Sequence, residues 1–178
     1  MLYSVIGGTK KERQLVTEAL WFAKDYWLPR HRKLAVDVEI APGLAAEADC
    51  LEGDDDREYE IRVRKGLKPE DLITAIFHEF VHIKQAVRGE FPMFEPSDIP
   101  YFERPWEIEA YAEQEKMLKK YKKLPTYKIV SNTGPRHKPI FKVGVKLQDS
   151  KFYFGEGSSK KDAEQNAAVI CFNNSFPS

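Results

Sequence analysis

The chain has 178 residues, of which 42% are hydrophobic and 31% charged, and its 28 basic and 28 acidic side chains give a formal net charge of zero. It contains no run of 18 consecutive apolar residues and does not begin with the basic-then-apolar order of a signal peptide, so we expect a cytoplasmic protein with no membrane partner. Two cysteines, Cys50 and Cys171, are too few for a disulfide framework and lack the spacing of a cysteine metal site.

The zero net charge is a cancellation between two regions. Residues 1–115 carry 15 basic and 24 acidic side chains, a net charge of −9, whereas residues 116–178 carry 13 basic and 4 acidic ones, a net charge of +9. An asymmetry of this size is typical of two units with different partners. A neutral total therefore does not exclude nucleic acid as a partner, and we predict two domains, 1–112 and 113–178.

The first domain is predicted to begin with a helix followed by strands. Thr9 and Glu12 have the spacing of a capping box, and the apolar residues after them predict a helix over Lys10–Trp27. Alternation of apolar and polar residues then predicts a strand at 34–40 and one or two more strands within 45–64, with a turn at 53–56.

A second helix and a third helix follow in the same domain. Pro69 suits a first helical position and Gly89 a C-terminal stop, which predicts a helix over Pro69–Arg88. A proline-containing loop then leads to a third helix at 105–121.

The remaining residues predict three strands and a last helix. Apolar alternation places the strands near 127–129, 141–147 and 152–154, with turn residues between them. Ser158 or Ser159 is the predicted cap of the last helix. Four of its residues are expected to fall on one face: Ala163, Ala167, Ile170 and Cys171.

The second helix contains the motif His-Glu-x-x-His at positions 78–82. On a helix, His78 and His82 project from the same face one turn apart, close enough for both imidazoles to bind one Zn²⁺. Glu79 is offset so that it can reach a metal-bound water. The alternative is a helix whose histidines bind nothing.

The third helix offers the missing metal ligand. Glu107 and Glu109 point in nearly opposite directions around a helix, so only one of them can face the metal. Glu107 shares its face with Ala110 and Tyr111, whereas Glu109 lies on a charged face. We therefore predict Glu107 as the third ligand and keep Glu109 as the alternative.

These motifs, followed by a Glu-x-x-Ala helix, resemble the zincin metallopeptidases that use two histidines and one glutamate as zinc ligands. The resemblance covers 34–112. It implies a zinc-dependent endopeptidase with a peptide substrate, in which Glu79 acts as the general base. Tyr101, Tyr111 and His31 are alternative donors for the negatively charged intermediate.

The C-terminal third resembles a double-stranded RNA-binding domain over 113–174. The resemblance rests on Pro125-Thr-Tyr127, Gly134-Pro135-Arg136-His137, Phe141-Lys-Val143, the run from Gly155 to Lys161, and Ala163 with Ala167-Ala168. It implies a helix, three antiparallel strands and a helix that together read the shape of an A-form duplex.

The same resemblance implies particular RNA contacts. Lys160 and Lys161 would bind phosphates. Arg136 and His137 would enter a minor groove from the loop between the first two strands. Gln114 and Glu115 would be the groove-reading pair of the first helix. Glu164 departs from the family, which has a basic residue there. That departure removes a phosphate contact and places a negative charge near the duplex.

Together these features predict an α+β protein with a small zincin-like domain, an α-β-β-β-α RNA-binding domain, and the third helix shared between them. The predicted function is a zinc peptidase that structured or double-stranded RNA targets or regulates. One alternative is an RNA-binding protein whose zincin fold is inactive. A third possibility is a metal-dependent hydrolase of RNA itself.

Overall fold

The computed structural model describes residues 1–53, 57–90, 99–147 and 151–175. It divides into two compact units, Met1–Lys119 and Lys120–Ser178. Most of the predicted turn at 53–56 and most of the predicted proline loop lie outside the described residues. Within the ranges given above, no helix is long and apolar enough to cross a membrane.

The first unit is built on a four-stranded sheet in the order β1-β2-β4-β3. Its strands are β1 (Leu2–Gly7), β2 (Ala35–Ala41), β3 (Ala48–Glu52) and β4 (Glu58–Arg64). β1, β2 and β4 are parallel, while β3 pairs antiparallel with β4 and forms one edge. The sequence did not predict β1, because its residues are mostly exposed and show no alternation of burial.

Two helices pack on this sheet. The helices are α1 (Lys10–Trp27) and α2 (Pro69–Arg88), with the bounds that the sequence predicted. The Glu12 carboxylate accepts a hydrogen bond from the Thr9 N–H at 2.7 Å, and the Thr9 hydroxyl accepts one from the Glu12 N–H at 3.2 Å. Gly89 ends α2 in the left-handed region with φ of +68°, where a glycine pays no steric penalty.

The core of this unit lies between the sheet and the helices. Alternate residues of β2 and β4 pair in register and are buried: Val36 with Tyr59, Val38 with Ile61, and Ile40 with Val63. α2 contacts β3 and β4, and it also packs against α1. The interior face of α2 includes Leu72, Ile76, Phe77, Phe80 and Ile83, each at most 1% exposed. Burial of these side chains fixes the rotation of α2, and with it the direction of its histidines.

A third helix, α3 (Pro105–Lys122), follows a short 3₁₀ turn at Tyr101–Glu103. Its buried residues are Glu107, Ala110 and Met117. The division between the two compact units falls inside this helix.

The second unit has an antiparallel sheet and one helix. Its strands are β5 (Pro125–Thr133), β6 (Ile140–Leu147) and β7 (Tyr153–Gly157), in that order, and α4 (Lys160–Ser175) packs against β6 and β7. The prediction of three strands and a helix is confirmed. Gly155 permits the close approach of α4, because a Cβ at this position would lie 2.2 Å from the backbone nitrogen of Ala167.

The buried face of α4 is narrower than the predicted apolar face. Ala163, Ala167 and Cys171 are buried, whereas Ile170, which the sequence predicted on the same face, is 41% exposed. The close approach of α4 to β7 leaves room for small side chains along a single i, i+4 row, and Ile170 lies beside that row.

Candidate functional site

A cavity of about 610 Å³ lies in the first unit between α2, β3 and the first turns of α3. Its lining includes His78, Glu79 and His82 from α2 and Glu107 from α3. The cavity therefore contains the four residues that the sequence predicted for a metal centre.

Three of these residues bring their ligand atoms together. Nε2 of His78 lies 3.2 Å from Oε2 of Glu107, and Nε2 of His82 lies 3.5 Å from Oε1. The two Nε2 atoms are 3.2 Å apart. All three ligand atoms lie within 4.8 Å of one another, so one cation can reach each of them.

The burial of Glu107 supports a cation at this point. Glu107 is only 4% exposed, and its Oε2 lies 3.2 Å from Nε2 of His78 without a well-formed hydrogen bond among the described residues. A buried carboxylate oxygen without a donor is costly, and a dication would satisfy it. Imidazole nitrogens with one carboxylate form a donor set that suits first-row transition-metal dications better than Mg²⁺, which prefers oxygen ligands.

Glu79 lies in the same cavity and is 6% exposed. Burial raises its pKa, and the nearby Glu107 adds to this effect, while His78 and His82 oppose it. Glu79 is thus a desolvated carboxyl group beside the three ligands.

Protons compete with a metal for the ligand atoms. Burial would lower the pKa of His82, but its contacts with Glu107 and Gln85 outweigh burial and raise it. Burial would raise the pKa of Glu107, but the neighbouring His78, His82 and Tyr101 groups outweigh it and hold the pKa well below its usual value. Glu107 is therefore a carboxylate in the folded chain.

Two glutamines contact the outer nitrogens of the histidines. Nδ1 of His78 lies 2.8 Å from Oε1 of Gln114, and Nδ1 of His82 lies 2.9 Å from Oε1 of Gln85. The sequence reasoning missed Gln85, which sits one turn beyond Val81 among buried residues and carries no motif signal. Gln114, predicted to read an RNA groove, lies in the cavity wall with its amide against His78.

Glu109 has a different environment from Glu107. Its carboxylate pairs with Lys84 and accepts a hydrogen bond from Nε2 of Gln85 at 2.8 Å. The structure thus places Glu107, rather than the alternative Glu109, beside the two histidines.

The rest of the cavity wall is acidic and aromatic. Five carboxylates line it and, among the described lining residues, there is no lysine or arginine. Tyr101 and Tyr111 also line the cavity, and the Tyr111 ring centroid is 4.7 Å from that of His78. His31, the other sequence candidate for a donor, is not among the described lining residues. Without a cation, this cavity would repel a phosphate group.

The predicted phosphate-binding residues lie at the start of α4. Ser159 caps this helix, since its hydroxyl accepts a hydrogen bond from the Asp162 N–H at 3.1 Å. Lys160 and Lys161 are exposed in the first turn, where the N-terminal end of a helix favours anions. Glu164 lies 3.6 Å from the Lys160 ammonium group and partly neutralises it.

A tight turn presents the predicted minor-groove residues. The Lys138 N–H donates to the Pro135 carbonyl at 2.8 Å, so Arg136 and His137 form the tip of the turn between β5 and β6, and both are exposed. Gly134 enters this turn with φ of +92°. Glu115, the remaining predicted contact, is exposed on α3.

Comparison with known families identifies the C-terminal region. Residues 114–175 match the double-stranded RNA binding motif family. The match covers the end of α3, the three strands and α4, so the predicted α-β-β-β-α RNA-binding domain is confirmed. The predicted RNA contact residues stay predictions.

Comparison with curated proteins relates a larger part of the chain to ribonucleases. The chain is 64% identical over 149 residues to Ribonuclease 3 of Pelagibacter ubique, an alignment that covers 83% of this chain and 55% of that protein. Ribonuclease 3 of Anaplasma marginale is 53% identical over 47 residues, which are 26% of this chain and 20% of that protein. Ribonuclease 3 of Leptospira interrogans is 45% identical over 60 residues, 34% of this chain and 24% of that protein. The chain thus spans about half the length of the first relative and about a quarter or less of the other two.

These relatives contradict the predicted zincin metallopeptidase. The 149 aligned residues cannot fit within 114–175, so the similarity to a ribonuclease extends into the first unit. Peptide hydrolysis, a peptide substrate, Zn²⁺ as the cofactor and an inactive zincin fold are therefore wrong as predictions. The physical reason is that His-Glu-x-x-His specifies the spacing of ligands on a helix but does not specify the bond that an activated water attacks.

Proposed function

We propose that this chain is a ribonuclease that acts on double-stranded RNA. The observation that carries the proposal is the 149-residue alignment with Ribonuclease 3 of Pelagibacter ubique. The double-stranded RNA binding motif at 114–175 supports a duplex as the substrate.

The cavity of the first unit is the proposed catalytic centre. His78, His82 and Glu107 would hold one divalent metal ion, for which Mn²⁺ is the ion used in the tests. Such an ion would supply Lewis-acid polarisation of a phosphoryl oxygen and a water of lowered pKa. It would also offset the carboxylates of the wall, which otherwise repel the RNA backbone.

Glu79 is the proposed general base. Its carboxylate lies in the cavity with the three ligands, so it can accept the proton of an attacking water. Tyr101 is a hydroxyl donor in the same wall and can hydrogen bond to a phosphoryl oxygen of the substrate.

Lys160, Lys161, Arg136 and His137 are the proposed RNA contacts. All four are exposed, and they lie in the region of positive net charge. Lysine contacts to phosphates supply affinity that depends on salt and little on sequence. The double variant Lys160→Ala, Lys161→Ala should therefore weaken binding to duplexes of different sequence about equally, measured by fluorescence anisotropy. If the double variant binds duplexes as tightly as the wild type, Lys160 and Lys161 do not form part of the RNA-binding surface.

The central test compares cleavage of a labelled RNA duplex by the wild type and by Glu79→Gln, with Mn²⁺ or Mg²⁺ as the added cation. We expect Glu79→Gln to lose at least about a hundredfold in cleavage rate, the usual scale for a general base, while duplex binding is kept.

Glu47→Gln is the matched control, because Glu47 is an exposed residue that lines the same cavity and pairs with Arg64. Equal cleavage by wild type and Glu79→Gln would refute the assigned role of Glu79. If the wild type binds the duplex but does not cleave it, the proposed ribonuclease activity is refuted and the chain is an RNA-binding protein.

A further inference from the structure

Each of the two cavity histidines, His78 and His82, has a glutamine side chain within hydrogen-bond distance of its Nδ1. Gln85 is 1% exposed and Gln114 is half-buried. Each glutamine places its Oε1 within 2.9 Å of the Nδ1 of one histidine, Gln85 at His82 and Gln114 at His78. These contacts are on the opposite side of each imidazole from the Nε2 atoms that face Glu107.

The orientation of the Gln85 amide follows from its other partners. Its Nε2 lies 3.0 Å from the carbonyl oxygen of Trp106 and 2.8 Å from Oε2 of Glu109. A backbone carbonyl and a carboxylate can only accept hydrogen bonds, so the NH₂ group of Gln85 must face them. The remaining amide oxygen must then face His82.

This orientation selects the tautomer of His82. Because Oε1 of Gln85 can only accept, Nδ1 of His82 must donate. A neutral His82 therefore carries its proton on Nδ1 and presents the lone pair of Nε2 to Glu107 and the cavity. In this tautomer the Nε2 lone pair of His82 is free to coordinate a metal ion bound between His78, His82 and Glu107.

The partners of Gln85 are themselves fixed. Glu109 pairs with Lys84, a buried lysine on α2, and these contacts join α2 to the first turns of α3. The connected side chains, which we call the orienting network, are His82, Gln85, Glu109 and Lys84. The network also accounts for Glu109, the residue that the sequence offered as an alternative ligand.

We propose that Gln85 and Gln114 are positioning residues that hold His82 and His78 in the tautomer with a free Nε2 lone pair, ready to bind a divalent metal ion. The metal ion itself rests on the proposed function, but the tautomers do not. Gln114 comes from α3 and Gln85 from α2, so both helices contribute to the orientation of the two ligands. Partners of this kind typically change metal affinity by 10- to 100-fold.

The first test is ¹⁵N NMR of the histidine rings in the full-length, metal-free chain, at a pH high enough for neutral imidazoles. We expect both His78 and His82 to be protonated on Nδ1. In Gln114→Met, which removes the acceptor at similar side-chain length, His78 should become a mixture of tautomers while His82 is unchanged. Gln85→Met should have the reciprocal effect. Protonation of the wild-type histidines on Nε2 would overturn the proposal.

The second test measures Mn²⁺ affinity by titration calorimetry. Gln114→Met should bind Mn²⁺ 10- to 100-fold more weakly than the wild type, and Gln114→Glu, which keeps an acceptor oxygen, should restore most of the affinity. Gln14→Met is the matched control, because Gln14 is exposed on α1, donates a hydrogen bond to Glu18 at 2.9 Å, and is not among the described residues that line the cavity. Equal affinity of wild type and Gln114→Met would refute the positioning role.

The two tests separate this proposal from the proposed function. If the chain does not cleave RNA, the proposed function fails, but the expected histidine tautomers can still be observed, because they are measured without metal or RNA. Conversely, cleavage that survives in Gln114→Met with unchanged tautomers would refute the positioning role and leave the ribonuclease intact. If Gln85→Met does not fold, the pair Gln114→Met and Gln114→Glu still decides the question, since Gln114 is only half-buried.

Discussion

Glu164 is a carboxylate of α4 whose charge would oppose duplex binding at the proposed lysine contacts. It lies 3.6 Å from Lys160, one turn into the helix, and is partly exposed. Replacement of Glu164 by lysine removes this ion pair and adds a positive charge at the same end of the helix. We expect duplex affinity to rise, and the slope of log affinity against log salt to become steeper by about one.

Fluorescence anisotropy over a range of salt concentrations measures this change. Glu156→Lys is the control, since Glu156 pairs with Lys142 across the β6–β7 ladder and its replacement changes the net charge by the same amount. If both variants shift the slope equally, the effect is one of net charge and not of position on α4.

Glu12 couples the start of α1 to the turn after β4. Its carboxylate accepts hydrogen bonds from the N–H groups of Thr9 and of Gly66, at 2.7 and 3.0 Å. The bond from Thr9 is the largest cause of its lowered pKa. A carboxyl group with a lowered pKa in the folded state adds stability above its unfolded pKa, and this stability is lost as the pH falls through the folded pKa.

Glu12→Gln should therefore reduce the free energy of unfolding by roughly 1 kcal/mol near neutral pH, the usual scale of a helix cap. The difference from wild type should begin to shrink as the pH falls below the unfolded pKa of about 4.3, and it should vanish only below the lowered folded pKa, where Glu12 of the wild type has also lost its charge. Urea unfolding at several pH values measures it. Glu18→Gln, on the same helix away from its end, provides the baseline for removal of one carboxylate, and an equal effect of both variants at every pH would contradict the cap.

The site residues show what spacing can and cannot reveal. His78, Glu79, His82 and Glu107 could be found because helical periodicity places them on facing sides of two helices. Gln85 and Gln114 could not, because their role depends on contacts between side chains of α2 and α3 that no local pattern encodes. The motif also does not specify which bond a site of this kind would hydrolyse, since a metal-bound water can attack carbon or phosphorus.

Among the elements, the packing of α4 on β7 gives the sharpest steric prediction. A Cβ at Gly155 would lie 2.2 Å from the Ala167 nitrogen and 2.7 Å from the Ala163 carbonyl oxygen, both backbone atoms that cannot rotate away. Gly155→Ala should therefore destabilise the second unit by about 1–3 kcal/mol or more. Hydrogen exchange of the β6 and β7 amides should report faster opening, with no change in α1 or α2.

Gly144→Ala is the matched control for this prediction. A Cβ at Gly144 would meet side-chain atoms of Phe154 and Phe152, at 2.9 and 3.1 Å, and these rings can shift. We expect a smaller loss than for Gly155→Ala. Equal losses would show that the contact of α4 with β7 is not the sensitive point of the second unit.

The elements also show why some bounds could be predicted and one strand was missed. α1 and α2 have local signals at both ends, such as Thr9, Pro69 and Gly89, and their bounds match the prediction. β1 has no such signal. It is a strand because it pairs in parallel with β2, more than 30 residues away, and this pairing leaves most of β1 exposed.

At the scale of the whole molecule, the zero net charge conceals opposite charges on the two regions, −9 over 1–115 and +9 over 116–178. Fields from these charges extend over the Debye length, about 30 Å at 0.01 M salt and about 8 Å at 0.15 M. The acidic region should therefore slow the approach of RNA only at low salt.

Neutralising exposed carboxylates of the first unit tests this repulsion. Glu58→Gln with Glu60→Gln on β4 should accelerate duplex association at low salt, measured by stopped-flow fluorescence, because two negative charges are removed from the chain. Lys10→Gln with Lys11→Gln on α1 is the opposite-sign control and should slow association. Both effects should disappear at about 0.3 M salt, where charges more than roughly 6 Å apart are screened. If both double variants associate at the wild-type rate at low salt, the acidic region does not influence how RNA reaches the chain.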